Sequence, residues 1–510
     1  MAKTPRLDPY ARALARLYEP LILLGILGKD CAPHVTTRYT PGSIVGARRR
    51  FLKNLAVICD YTKGGATTTA IAVEEGAANF TFWLATNSDS SAAAAVEFLK
   101  GVLASLRAVC DVDGGTGTDA DQGAERELMR AYAGFAEKRL KKESKLLFRF
   151  ATRCREILEA DSEDEGSDLA TWVRQFEPSH GKNALALCHL AYQSRHDSRA
   201  RRIERLGADP EDGSTPGGTS LAFRALWHFI GRLASHVRVV KELVGDARRL
   251  RALLDDCGAA PVAAPECAAP PRVDALTTLP GILNRMVKAS DARRAELQDR
   301  LALLDHRVGL EAAVRAKLAG ADEADEDAGS DGNNHGGRGQ GRLTPHVHAE
   351  VQLLDHFHAH SLPFAADDRF VACSKAACFC CRLYFRHHPA RCVEPDSHGN
   401  LHLNWGVARL RDGARDARWA EQRAVLIRIT DDIRDLALER IAVLAGPRPS
   451  RPDSLSGITR SSEGAGFSGS DGEALDSGDS DGEQNGNLDG GRSDSRASLG
   501  GRAVKPRVRH

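Results

Sequence analysis

Two short motifs restrict the possible folds of this chain, because their side chains have to meet in space. A His-x-Glu motif at residues 348–350 precedes a Cys-x-x-Cys motif at residues 378–381. One imidazole and two thiolates are ligands that zinc prefers, and three protein ligands leave the fourth position of the metal open for water. The motifs predict a catalytic zinc site with His348, Cys378 and Cys381 as ligands and the free carboxylate of Glu350 as the group that moves protons.

The spacing explains how two thiolates reach one ion. Cys378 and Cys381 are one turn apart on a predicted helix, whose N-terminus favours thiolates through the helix dipole. His348 is expected in the first turns of another helix, which Thr344 and Pro345 begin as N-cap and first residue. Zinc lowers the pKa of bound water to about 7, so hydroxide is available at neutral pH. The predicted reaction is hydrolytic deamination of an amidine-type carbon of a nucleobase.

Composition limits the compartment and the kind of partner. The 510 residues carry 70 Lys and Arg against 69 Asp and Glu, a net charge of +1, so no global field attracts nucleic acid or a membrane. No apolar run reaches the ~20 residues that a transmembrane helix needs. Seven of the 12 cysteines are scattered singly, as is typical of a reducing compartment. We expect an intracellular protein, cytoplasmic or nuclear, with no membrane partner.

The apolar and polar patterns divide the chain into five predicted regions. Acidic or Ser/Gly/Asp-rich segments cannot bury enough surface to fold, and they separate or follow the folded parts. The regions are an N-terminal α+β region (1–122), a helical region that could pack as a bundle (123–319), an acidic and Gly-rich linker (320–343), a zinc domain (344–445) and a disordered tail (446–510).

The N-terminal region is expected to contain a small β-meander at about residues 50–87. Three short apolar or alternating runs, at 55–59, 67–73 and 79–84, are separated by glycine-containing turns. The pattern after them predicts an amphipathic helix over 88–110.

The zinc domain is predicted to alternate helices and strands. After the first helix, which should end near His360, come a buried strand at 369–373 and a second helix that Ser374 could cap. An alternating strand at 401–405 and a long amphipathic helix at 416–444 follow. This order is typical of an α/β layer.

At these residues the chain resembles a known family. The matching stretches are 348–354, 373–375, 378–381, 397–399 and 403–405. They resemble the fungal OTT-type branch of the cytidine-deaminase-like superfamily over about residues 346–406. The 50–87 segment and the helix after it also look like the N-terminal region that this branch often carries.

The resemblance implies a deaminase-like three-layer α/β/α fold with a mixed sheet and Zn²⁺ as the cofactor. It implies the same three ligands and the same role for Glu350. One position departs from the pattern, because Ala377 stands where the superfamily usually has a proline. That proline orders the loop and is not a ligand, so the departure is mild. We expect a nucleobase-containing substrate, either a nucleotide or a nucleic acid.

Three further residues are candidates for substrate binding. Trp405 could stack on a base, Ser374 could contact a phosphate, and His398 could line the pocket. Each also has an ordinary structural explanation. A tryptophan at the end of a strand usually belongs to the core, a serine before a helix caps it, and the histidine lies in a turn.

The extra cysteines leave the type of zinc site open. Cys373, Cys380 and Cys392 suit small buried core positions, but Cys380 could compete with Cys381, or four cysteines could close the site. A closed site would be structural.

The second hypothesis is therefore a non-catalytic zinc-stabilised interaction module, whose helical region and acidic tails would bind protein partners. A third, a nucleic-acid editor, needs a basic groove, whereas residues 344–446 hold 13 Lys and Arg against 13 Asp and Glu.

Overall fold

The structure is a computed structural model that describes residues 8–37, 40, 42–111, 119–160, 164–177, 183–208, 219–319 and 343–443. The predicted tail lies outside these residues, and so does the predicted linker apart from Leu343. Over the described residues the fold is mixed α/β, mostly helical, with a small mixed sheet of four strands.

Most of the described residues are helical. In chain order the α-helices are α1 Pro9–Leu27, α2 Ile44–Cys59, α3 Asp89–Asp111, α4 Asp119–Phe135, α5 Glu137–Ala160, α6 Asp164–Arg174, α7 Ala184–Ser194, α8 Ser198–Ala208, α9 Thr219–Arg249, α10 Arg251–Leu254, α11 Leu279–Met286, α12 Arg294–Val308, α13 Leu310–Leu318, α14 Ala349–Ala359, α15 Phe379–His387 and α16 Trp419–Ala442. Within these ranges, no helix has both the length and the apolar composition to cross a bilayer.

The sheet joins strands that are far apart in sequence. Its strands are β1 (Thr69–Glu75), β2 (Phe80–Thr86), β3 (Cys257–Pro261) and β4 (Ala372–Cys373), in the order β3-β2-β1-β4. β1 and β2 form an antiparallel hairpin, β3 is parallel to β2, and β4 is antiparallel to β1. The short β4 therefore brings the predicted zinc domain into the same sheet as the N-terminal hairpin.

The two faces of β1 pack against different helices. Ile71 and Val73 belong to the hydrophobic cluster that contains α2, α3 and the long α9. Ala70 and Ala72 belong to the cluster that contains α1, α14, α15 and α16. Successive side chains of a strand point to opposite faces, so this division follows from the alternation along β1. The helices with the predicted metal ligands accordingly lie on the alanine face.

The first and last described helices pack lengthwise against each other. α1 begins after Asp8, whose carboxylate accepts hydrogen bonds from two backbone N–H groups of the first turn. The ring of Tyr10 contacts Trp419 edge-on at one end of the pair, with centroids 5.5 Å apart. Arg440 donates to the carbonyl of Gly28 at the other end. The two helices run parallel, and the predicted long helix at 416–444 is confirmed as α16.

The predicted meander is wrong in its first strand. Residues 55–59 are the last turns of α2, which begins at the N-cap Ser43. A short apolar run does not distinguish a strand from a buried helix. Phe51, Leu55 and Ile58 are buried together at helical spacing. The other two strands are confirmed as β1 and β2, so a hairpin replaces the meander. The predicted helix at 88–110 is confirmed as α3.

Two further differences concern strands in the second half of the chain. The predicted strand at 401–405 is wrong, because this segment makes a single isolated bridge, which pairs Trp405 with His346. The Ala- and Pro-rich stretch that begins at 258 contains most of β3, which sequence analysis did not predict. The predicted buried strand at 369–373 is confirmed in a shorter form as β4. The boundaries of the five predicted regions stay a prediction.

Candidate active site

His348 is the N-cap residue of α14. Its backbone is extended, and the helix begins with the next residue. The predicted start at Thr344 is wrong because the preceding residues pair with another segment. The N–H of His346 donates to the carbonyl of Asn404 at 2.8 Å, and the carbonyl of His346 accepts from Gly406 at 3.0 Å. The predicted end near His360 is confirmed.

Cys378 caps α15 with its own side chain. Its Sγ accepts a hydrogen bond from the N–H of Cys381 at 3.4 Å. The predicted cap by Ser374 is wrong, since the helix begins at Phe379. A sulfur that faces the free N–H groups of a helix start is stabilised as a thiolate. The first turn of α15 thus places both motif cysteines at one helix N-terminus.

The three predicted ligands meet at the N-termini of α14 and α15. The Nδ1 of His348 lies 3.7 Å from Sγ of Cys378 and 3.3 Å from Sγ of Cys381, and the two sulfurs are 3.4 Å apart. Tetrahedral zinc with its usual bond lengths needs about 3.8 Å between sulfurs and about 3.6 Å between sulfur and nitrogen. Small movements would bring these atoms to the required separations, so the donor set fits a tetrahedral ion.

The group contains three ligands and no more among the residues that the structure describes. No fourth His, Cys, Asp or Glu of that part of the chain has a ligand atom within 4.8 Å of all three. Cys380, which sequence analysis kept as a competitor, is not in the group although it is completely buried. Such a group could hold a metal and leave one position for another ligand.

Burial and mutual contact shift the pKa values of the group. Burial opposes a charge on Cys378, but the hydrogen bond with Cys381 and the imidazole of His348 lower the pKa of this thiol well below its usual value. Burial and the negative charge on Cys378 raise the pKa of Cys381. Burial also acts against a charge on His348, yet Cys378 raises the pKa of its imidazole. A bound zinc ion would add positive charge to the group and would stabilise both thiolates.

Glu350 lies beside the group, in the first turn of α14. Its side chain is buried, and its Oε2 accepts a hydrogen bond from Sγ of Cys373 at 3.9 Å. Burial and the neighbouring carboxylate raise the pKa of Cys373 well above its usual value, so this thiol remains a neutral donor. The sequence predicts Cys373 to be a small buried core residue. The structure adds a contact that holds the predicted proton carrier.

Asn87 is a residue near the site that sequence analysis missed. It directly follows β2, and its Oδ1 accepts a hydrogen bond from the N–H of Ala349 at 2.9 Å. Its Nδ2 donates to the carbonyl of Gly65 at 3.0 Å. Asn87 therefore fixes the start of α14 relative to the end of β2. The position of Asn87 directly after a strand was the one sequence feature that could have indicated this role. Its partner Ala349 lies 262 residues away, so the contact itself could not be predicted.

Each of the three candidate substrate-binding residues makes contacts with other residues of the protein. Trp405 is completely buried and contacts Tyr384 edge-on. His398 is buried, stacks on His402 and accepts a hydrogen bond from the N–H of Asn400. Ser374 accepts a hydrogen bond from a β1 N–H and donates to a buried aspartate. Their contact with substrate stays a prediction.

A second cluster of possible ligands lies at the other end of α14. His358, His388 and Glu421 are close enough to surround an ion. Burial lowers the pKa of His388 to about 4, so its ring is neutral. Its Nδ1 accepts from the N–H of Ala390, which leaves the proton on Nε2, 3.4 Å from Asp355. In this tautomer the Nε2–H of His388 faces Asp355, and the Nε2 of His358 lies 2.7 Å from Glu421, so the three side chains already have partners within the protein.

Comparison with known proteins gives the same assignment for this segment. The family model of the OTT_1508-like deaminases matches residues 347–409. The matched stretch contains His348, Glu350, Cys378 and Cys381. These residues therefore form a deaminase-like segment, whose His/Cys/Cys group could bind a metal. No curated protein and no solved structure matched the chain.

Proposed function

We propose that this protein is a zinc-dependent hydrolytic deaminase that acts on a cytosine- or adenine-type nucleobase, in a nucleotide or in a nucleic acid. The buried group of His348, Cys378 and Cys381 carries the proposal, because it lies next to Glu350 inside the deaminase-like segment. Nucleobase deaminases require these side chains together, three to hold the ion and one to move protons.

The donor set suits zinc better than a harder cation. Two thiolates and one imidazole are ligands for a borderline-soft ion, whereas magnesium and calcium prefer oxygen. The sulfur–sulfur and sulfur–nitrogen distances of 3.3–3.7 Å support a tetrahedral arrangement. When bound, zinc supplies a Lewis acid that makes water a nucleophile near neutral pH.

Glu350 performs the proton transfers in the proposed reaction. Its carboxylate accepts a proton from the attacking water and delivers it to the ring nitrogen next to the reacting carbon. The carboxylate then takes the remaining proton of the added hydroxyl group and passes it to the amino group. The carbon–oxygen bond forms, the carbon–nitrogen bond breaks, and ammonia leaves, so one water is consumed for each ammonia released. Cys373 holds one oxygen of Glu350, which favours delivery of the proton from the other oxygen.

The number of ligands separates this proposal from a zinc-stabilised interaction module. A structural site uses four protein ligands, whereas a catalytic site keeps one position for water. Among the described residues, three side chains converge, and this supports the catalytic alternative.

Finer assignments are also proposals. We propose that the sheet and the helices on its two faces form a three-layer α/β/α fold of the fungal OTT-type branch of the cytidine-deaminase-like superfamily, to which residues 344–445 contribute β4 and the helices α14, α15 and α16. The helices on both faces of the sheet support the three layers. We further propose an intracellular location, substrate contacts by Ser374, His398 and Trp405, and protein partners for the helical region.

The experiment is a zinc assay on the purified full chain, coupled to an ammonia-release screen. The screen covers free bases, nucleosides, nucleotides and single-stranded oligonucleotides, so its arms separate monomeric from polymeric substrates. We expect a stoichiometric zinc ion and ammonia release from one of these classes. A zinc-loaded protein that releases ammonia from none of them contradicts the proposal.

A further inference from the structure

Asp60 is a completely buried carboxylate between two parts of the chain. It directly follows α2, and its Oδ1 accepts a hydrogen bond from the hydroxyl of Thr67 at 2.7 Å. Its Oδ2 accepts a hydrogen bond from the hydroxyl of Ser374 at 3.2 Å, and the ammonium of Lys375 lies 4.0 Å away. A buried carboxylate is stable only when such partners replace water, so these contacts define its position.

Arg139 on α5 supplies the opposite charge. It also is buried, lies 3.3 Å from Oδ2 of Asp60, and donates to the backbone carbonyl of the same residue. Its Nε donates to Glu143 at 3.2 Å, and Glu143 also accepts from Arg232 at 2.9 Å. Two carboxylates thus balance two guanidinium groups. The network connects α5 and α9 to the end of α2.

A neutral histidine extends the network on the far side. Burial lowers the pKa of His236, so its ring is uncharged. Its Nε2 donates to Glu143 at 2.7 Å, and its Nδ1 accepts from the hydroxyl of Tyr132 at 2.7 Å. The donors and acceptors match along the whole series, which makes the group rigid.

Ser374 connects this network to the candidate metal site. Its N–H donates to the carbonyl of Thr69 at 2.9 Å, and its hydroxyl accepts from the N–H of Thr69 at 3.1 Å. The residue before it, Cys373, donates to Glu350. Cys378, four residues after it, is a proposed ligand. A displacement of Ser374 would therefore move Cys373, which contacts Glu350. It would also move the loop that ends at Cys378.

We infer that Asp60 is a positioning residue for the metal site and acts through Ser374 on the loop at 374–378. What the site catalyses rests on the proposed function, whereas the positioning role concerns metal affinity and geometry. Because Arg139 on α5 pairs with Asp60, the helical region also helps to position the metal site.

The test measures metal binding by the full chain with Ser374→Ala and Asp60→Asn. Partners that orient metal ligands from outside typically change metal affinity by about 10–100-fold. We expect each variant to weaken zinc binding, measured by competition with a chelator, by at least about tenfold. Cobalt-substituted protein should show altered d–d absorption bands. Ser374→Thr keeps the hydroxyl and should restore both properties.

Tyr132→Phe is the control for a purely structural role. It removes a hydrogen bond at the far end of the same network, so it should lower the thermal midpoint and leave zinc affinity and the cobalt spectrum unchanged. The inference is overturned if Ser374→Ala lowers stability but binds zinc like the wild type with an unaltered cobalt spectrum. Should Asp60→Asn fail to fold, Ser374→Ala and Ser374→Thr still decide the question.

The readout separates this inference from the proposed function. Zinc affinity and the cobalt spectrum do not require turnover. Loss of affinity in a chain that never releases ammonia would support the positioning role and contradict the deaminase. Normal affinity in Ser374→Ala and Asp60→Asn, together with ammonia release by the wild type, would contradict the positioning role alone.

Discussion

The Nδ1 atom of His348 lies 3.3 Å from the Sγ atom of Cys381, although 33 residues separate them in the chain. The two residues belong to the starts of different helices, α14 and α15. Both helix N-termini therefore lie at one small volume, where the helix dipoles favour negative ligands. The carboxylate of Glu350 enters the same volume from the first turn of α14.

Replacing Cys378 with Ser should remove the metal. The substitution deletes one of three ligands and the sulfur that caps α15, so zinc content and the thermal midpoint should both fall. The matched control is Cys380→Ser, another completely buried cysteine of the same motif that is outside the ligand group. Zinc analysis after gel filtration measures the difference. A variant set in which Cys380→Ser loses zinc and Cys378→Ser retains it would reverse the ligand assignment.

Replacing Glu350 with Gln should stop ammonia release while zinc stays bound. The amide has nearly the same shape but cannot carry protons, and loss of a general acid–base group typically costs about 10²–10⁴-fold in rate. The measurement is ammonia release per zinc-loaded chain. Full turnover, or loss of zinc from this variant, would show that Glu350 has another role.

Asp355→Asn is the control for that substitution. Asp355 is a carboxylate on the same helix, away from the metal ligands. Burial raises its pKa to about 7, so the amide resembles a form that the native side chain already adopts near neutral pH. Its activity should remain close to that of the wild type. An equal loss of activity in both variants would point to a general effect on α14.

Replacing Glu143 with Gln should make stability less dependent on pH. Burial alone would raise the pKa of this carboxyl, but Arg232, His236 and Arg139 lower it well below its ordinary value. The carboxylate therefore stabilises the fold above the unfolded pKa of about 4.3 and loses this effect as the pH falls through the folded pKa. At neutral pH the variant should lose about 3 kcal/mol or more, because buried arginines lose their partner.

Thermal unfolding from pH 7 to pH 3 measures that effect. The wild type should lose stability as the pH falls below about 4.3, and the gap between it and Glu143→Gln should narrow towards pH 3. Glu137→Gln, on the same helix but exposed, is the control and should follow the wild type at every pH. A constant gap across the range would contradict the role given to Glu143.

Replacing Gly399 with Ala should weaken the contact between the N-terminal segment and the candidate site. Gly399 has φ +73°, and an added Cβ would lie 1.8 Å from the carbonyl oxygen of Ala32. The left-handed backbone alone costs about 1–2 kcal/mol for alanine, and the clash adds to this cost. The control is Gly101→Ala in α3, where the new methyl has open space and should stabilise by about 0.5–1 kcal/mol. Denaturant unfolding measures both, and equal effects would refute the steric argument.

Sequence patterns were sufficient to predict the elements whose structure follows from local contacts. The long helix α16 and the hairpin of β1 and β2 follow from local periodicity. The ligand motif could also be predicted, because zinc chemistry needs particular side chains at fixed spacing. The apolar run of α2 was ambiguous, because helices and strands can both bury five successive residues.

Other features depend on distant contacts and leave no local signal. Thr344 and Pro345 are a good helix start, but backbone pairing of His346 with residues 404–406 holds the chain extended up to His348. Ser374 has the sequence features of a cap, yet its hydroxyl bonds to Asp60, 314 residues away. Such contacts are determined by the packing of the whole sheet and its helices.

The most direct test is zinc X-ray absorption on the purified full chain. We predict a four-coordinate ion with two sulfur ligands, one imidazole nitrogen and one oxygen from water, at zinc–sulfur distances of about 2.3 Å. A shell of four protein ligands without an oxygen, or a protein that binds no zinc, would contradict an open catalytic site.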